Sequence, residues 1–70
     1  MEENIKQVNE ALARVVRSEM VLITIRNGCD ALVFRELSKT LTETIEELVN
    51  ARIDLEQVRY RLNEARNVTL

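Results

Sequence analysis

The sequence predicts an all-α fold: an antiparallel helical hairpin with a long, coiled-coil-like second helix, assembling with further helices into a bundle. Three observations lead there. First, Leu41, Leu48, Leu55 and Leu62 recur every seventh residue, with Phe34 one heptad earlier. Leu37, Thr44, Ala51, Val58 and Ala65 fall between them, also seven apart. Such 3-4 alternation over about four heptads marks a helix whose narrow seam lies against another helix. Second, the single glycine, Gly28, sits beside Asn27 where two apolar-periodic stretches meet, and the chain has no proline. Third, the chain has 70 residues with one cysteine and no histidine. A domain this small barely outweighs its chain entropy, and with neither a disulfide nor a zinc-type ligand set at hand, oligomerisation is the remaining source of stability.

The first helix is expected from about residue 3 to 27 on the spacing of Ile5, Val8, Leu12, Val15 and Leu22. Ala11, Val16, Met20 and Ile23 widen its apolar face. Glu2 and Glu3 stand where the helix dipole favours carboxylates, and Glu10 precedes Arg14 in the favourable i,i+4 order. A turn over about residues 28–30 follows, since Gly28 has free access to positive φ and Asn27 tolerates it. Asp30 is then the expected N-cap of a second helix over about residues 31–66. So short a connection makes the helices antiparallel neighbours within a single domain, 1–70. The alternative is helix–β-hairpin–helix, because Val21–Ile25 is rich in β-branched residues and Asn27-Gly28 is a favoured two-residue turn. Against it, an isolated two-stranded hairpin is marginal in water.

On this reading the two helices differ in length by roughly 17 Å at about 1.5 Å per residue. Folding back at residues 28–30, the first helix reaches only to about residue 55 of the second, leaving Val58, Leu62 and Ala65 projecting with their seam uncovered. Leaving large apolar groups in water forfeits about 1.5–3 kcal/mol each, so partner helices are expected there, most simply from a second copy in a two-fold homodimer. Ile45, Val49 and Ile53 add a second apolar row to this helix, which suits a four-helix assembly. The expected interface is Leu41, Leu48, Ala51, Leu55, Val58, Leu62 and Ala65.

The alternation of Leu41, Leu48 and Leu55 with the small Thr44 and Ala51 resembles the Rop-type family of plasmid-copy-control RNA-binding helical hairpins, which dimerise into a four-helix bundle. The resemblance is one of architecture, and it implies a dimeric bundle and contact with RNA. That resemblance rests on no shared motif and assigns no RNA-binding residue; read separately from its seven-residue spacing, the arginine row Arg52, Arg59 and Arg66, with Arg61 and Tyr60 nearby, is the minimum for a phosphate contact. The competing reading pairs Glu56 with Arg52 or Arg59 and lets the arginines complement the helix C-terminus. Asp54 and Glu64 dilute the patch, and the formal charge of the chain is −2, which gives no general reason to expect polyanion binding.

Other residues are weighed the same way. Glu19 occupies a position of the first helical stripe where an apolar residue is expected. Either it pairs with Lys39 or Arg35 and sets the register of the hairpin, or it lies at a solvated rim. Glu43, Glu46 and Glu47 share one helical region, but carboxylate-bridged metal bundles add histidine, so no metal or cofactor is expected and the cluster reads as a solvated face. Cys29 reads as a plain thiol that a dimer contact could cross-link. No catalytic motif is present, and a non-enzyme with no small-molecule substrate is expected. Met1-Glu2-Glu3-Asn4 is acidic where a secretory leader is basic, and the longest apolar run, Met20–Ile23, is far below the roughly 20 residues of a membrane span. A cytoplasmic-type setting without membrane contact is expected, with the Asn67-Val68-Thr69 sequon unused. The expected function is protein–protein interaction, as a small adaptor, chaperone or regulatory subunit of bacterial or phage type, through itself and another protein. A Rop-like nucleic-acid binder and a structural subunit of a viral or phage assembly are the alternatives.

Overall fold

A computed structural model describes residues 2–29 and 34–69. The described residues form two α-helices, α1 over Glu2–Gly28 and α2 over Arg35–Thr69, packed side by side and antiparallel. The fold is an all-α helical hairpin, with no strand among the described residues. Val21–Gly28 continues α1 without a break, which overturns the β-hairpin alternative. Helical 3.6-residue spacing across Val15, Leu22 and Ile23, all half-buried, outweighs local β-propensity because these side chains have a helix to pack against.

The connection differs from expectation in a way that changes the register. Gly28 belongs to the last turn of α1, and its φ is not positive. The helix closes instead with the amide of Cys29 donating to the carbonyl of Arg26 at 3.1 Å, an i→i−3 bond of the kind that tightens a terminal turn. Phe34 is bent, and its carbonyl accepts the first α2 bond from the amide of Ser38 at 2.8 Å. The described α2 therefore starts at Arg35. The expected N-cap at Asp30 and helix start at residue 31 lie outside the described residues.

Because Gly28 is helical, its conformational freedom is a cost here. A Cβ built at this position meets no atom within 4 Å. Gly28→Ala is expected to raise stability by about 0.5–1 kcal/mol through a less entropic unfolded chain. A shift of the urea midpoint upward checks this; a shift downward would mean that the turn uses a conformation alanine lacks.

The hairpin is a rod, 57 × 14 × 11 Å, with a radius of gyration of 16.3 Å. A compact chain of this length has a radius near 11 Å. Two heptad columns meet along its axis. On α1 these are Ile5, Leu12, Glu19 and Arg26, and on α2 they are Ser38, Ile45, Arg52, Arg59 and Arg66. Ile5, Leu12, Glu19 and Ile45 are buried, each exposing 7–8% of its surface, and no described side chain is completely removed from water. Two helices alone shield only a line of residues, and every other apolar side chain among the described residues stays partly wet.

Candidate functional site: a leucine face beside a charged seam

The arginine row runs down the inside of the hairpin. Arg52 places Nε 3.4 Å from Oε1 of Glu19, near the middle of the rod. Arg59 donates from Nη1 to Oδ1 of Asn9 at 3.3 Å, and Arg66 donates from Nη1 to the Glu2 carboxylate at 3.1 and 3.4 Å. These three contacts put residues 2, 9 and 19 of α1 opposite residues 66, 59 and 52 of α2. The expected fold-back at residues 28–30 had brought Glu19 near Ser38 and Lys39. The observed partner lies about four helical turns further along α2. The centre of the observed pairings lies nearer the C-terminus than the expected fold-back, and every pairing moves with it.

Three expectations are corrected by this register. Glu19 pairs with neither Lys39 nor Arg35, and it does not sit at a solvated rim; it is buried and faces Arg52. Val58, Leu62 and Ala65 do not project beyond the hairpin, since α1 extends past them to Glu2, opposite Arg66. At the other end of the hairpin Phe34 and Leu37 are about half exposed. Arg52, Arg59 and Arg66 each meet a side chain of α1, with Arg52 and Arg66 still about one-third exposed. Arg61 is exposed, and with Tyr60 it lines a shallow hollow that also holds Glu56 and Glu64. Two carboxylates beside one guanidinium offer a phosphate little net attraction.

Glu2 and Asn9 went unrecognised as partners of this row. A signal was present: they stand seven apart, as do Arg59 and Arg66, and matched spacing in opposite order suits an antiparallel pair. The Glu19–Arg52 contact is an ion pair without a hydrogen bond, since Oε1 of Glu19 and Nε of Arg52 are both buried and neither completes one. Desolvation opposes burial of such charges, so this pair adds little net stability to the hairpin.

The leucines lie at one edge of this charged seam. Leu41, Leu48, Leu55 and Leu62 are all half-buried, as are Val8, Val15 and Leu22 on α1. Each stands three residues after a member of the facing column. In an antiparallel pair the same rotation on each helix carries a side chain to the same edge, so the seven form one aliphatic face along the rod. Ala11, Thr44 and Ala51 continue it as small, half-buried residues, and Val58 and Ala65 continue it as exposed ones. The Thr44 hydroxyl donates to the carbonyl of Thr40 at 2.9 Å, so its polar atom is already satisfied within the helix.

Glu43, Glu46 and Glu47 are exposed, and no described group of carboxylate or thiol side chains is gathered closely enough to hold a metal. Cys29 is a half-buried free thiol. No helix of the described chain is long and apolar enough to cross a membrane. Comparison with protein-family models, with curated proteins and with solved structures finds no match.

Proposed function

We propose that this chain is a non-enzymatic protein-interaction module that self-associates through its leucine face into a helical bundle, serving as a small adaptor, chaperone or regulatory subunit. The observation that carries this reading is the amount of surface the hairpin leaves wet. It exposes 5486 Å², whereas a compact monomer of 8.1 kDa exposes about 4,500 Å² on the scaling of surface with mass. The surplus, about 1,000 Å² per chain, is close to the roughly 800 Å² that each partner buries in a stable interface. The half-wet aliphatic row of Leu41, Leu48, Leu55 and Leu62 with Val8, Val15 and Leu22 is the place to bury it.

A two-fold dimer lays this face against its own copy, and the small Ala11, Thr44 and Ala51 allow the helices to approach closely. Four helices then enclose what two cannot. The arginines support the interaction reading over nucleic-acid contact, because three of the four are engaged by groups of α1. Native mass spectrometry of the gently purified protein is the test. An even multiple of the 8.1 kDa chain is expected. A folded monomer at tens of micromolar, with helicity undiminished on dilution, would refute self-association, and nucleic acid retained at high salt would favour the other reading.

A further inference from the structure

The leucine face has a charged rim, and the signs along it distinguish the two ways a second copy can lie there. Glu47, Asp54 and Arg61 directly precede Leu48, Leu55 and Leu62 on α2, and Arg14 directly precedes Val15 on α1. All four charged residues are exposed. One residue back is about 100° of helix rotation, which carries each side chain past the aliphatic face to its outer margin. Within one hairpin the two rims point to opposite sides, so they meet only across a contact between hairpins.

The observed pairings fix the heights. Asn9 stands opposite Arg59 and Glu19 opposite Arg52. Arg14 therefore lies level with the turn of α2 that runs from Asp54 to Gln57, and Glu10 level with the turn from Val58 to Arg61. Two different two-fold axes lay the leucine faces together in full overlap. An axis along the rod keeps both turns at one end and sets α1 of each copy on α2 of the other. An axis across the rod sends the turns to opposite ends and sets each helix on its own counterpart.

Along the first axis, Arg14 comes level with Asp54 of the other copy. One column further out, Arg17 is level with the same aspartate and Glu10 with Arg61. Glu3 and Glu64, in that outer column, are the like charges brought level. Along the second axis, which crosses near Arg52 at the middle of α2, Glu47 and Asp54 of both copies crowd one stretch of about 15 Å. Arg14 and Arg17 of both copies crowd another. We infer that the second copy lies with its turn beside that of the first, α1 over the other copy's α2, and Arg14 against Asp54 on each side of the bundle. Complementary charge favours this orientation, and like charge across the contact opposes the other. The inference rests on the self-association proposed above and adds its geometry.

Cys29 is the single cysteine of the chain and stands seven residues after Leu22, at the turn end of the same face. Nitroxide labels on Cys29 of the full chain therefore read the orientation as a distance. With the turns together the two labels should lie within about 20 Å, given helix spacings of about 8–10 Å. With the turns apart they should lie about 30–40 Å from each other, from the rise along α1 to mid-rod. A dimer showing the longer distance, or both distances, overturns the inference and leaves self-association standing. Absence of dipolar coupling at a monomeric mass overturns self-association and the inference with it.

Charge reversal gives a second reading without a label. Asp54→Arg and Arg14→Glu should each weaken dimerisation about three- to tenfold at low salt, and together they should restore the parent affinity. No charged residue stands three or four positions from Asp54 on its own helix, so a loss there is not an intrahelical one. With the turns apart, each single reversal would relieve crowding and tighten the dimer. Tightening, or failure of the double variant to recover, overturns the inference.

Discussion

Replacing Arg52 with leucine should destabilise the protein by about 2–3 kcal/mol, somewhat below the 3–5 kcal/mol typical of breaking a fully buried pair. The loss follows from what remains. Glu19 exposes 7% of its surface, and without Arg52 its carboxylate keeps no cation in contact. The discount follows from Arg52 itself, whose side chain is 37% exposed and so was never wholly desolvated. The reverse change is milder: in Glu19→Leu the arginine can swing its guanidinium into water, and leucine restores an apolar residue between Val15 and Leu22, so a change within about 1 kcal/mol is expected. The double variant Glu19→Leu, Arg52→Leu should recover wild-type stability or exceed it, because two desolvated charges give way to packed aliphatics. Urea denaturation of all three variants at one fixed protein concentration measures these terms, since the stability of an associating chain depends on concentration. Should Arg52→Leu prove no less stable than Glu19→Leu, the two side chains are not coupled as the geometry implies.

The second large effect is expected from Leu48→Glu combined with Leu55→Glu. Both leucines sit on the proposed association face and are half-buried in the hairpin. Two carboxylates there would oppose their own counterparts across a two-fold contact as well as removing aliphatic area. The variant should run as a monomer of about 8 kDa on light scattering, a mass set by the single chain. It should also lose much of its helicity, since a hairpin in which Ile5, Leu12 and Ile45 are the buried apolar residues has little core of its own. A variant that keeps the oligomeric mass of the parent would show that the assembly uses another face. Val58→Glu is the milder companion: Val58 is 45% exposed at the margin of the face, and this change should weaken association without unfolding the hairpin.

Much of the local structure was legible in the chain, and the reasons are local. Heptad spacing in α2, apolar 3-4 spacing in α1, acidic first turns and the lack of proline each act within a few residues, so they specify two helices whatever else surrounds them. One glycine near the middle was enough to indicate a hairpin. Gly28 was nonetheless misassigned as the turn, because a glycine permits a left-handed conformation without requiring one.

What the sequence alone determined is therefore the element content, two amphipathic helices folded back on each other, and the presence of a leucine row on the second. The tertiary structure decided the register, and with it the meaning of the charged residues. Shifting one helix about four turns along the other leaves every periodicity unchanged, because a heptad pattern matches itself after each two turns. Spacing therefore could not assign Glu19 to Arg52, Asn9 to Arg59 or Glu2 to Arg66; the packing of the two helices did. That same alignment brought Arg52, Arg59 and Arg66 against side chains of α1 and left the leucines at one edge of the contact, half-buried.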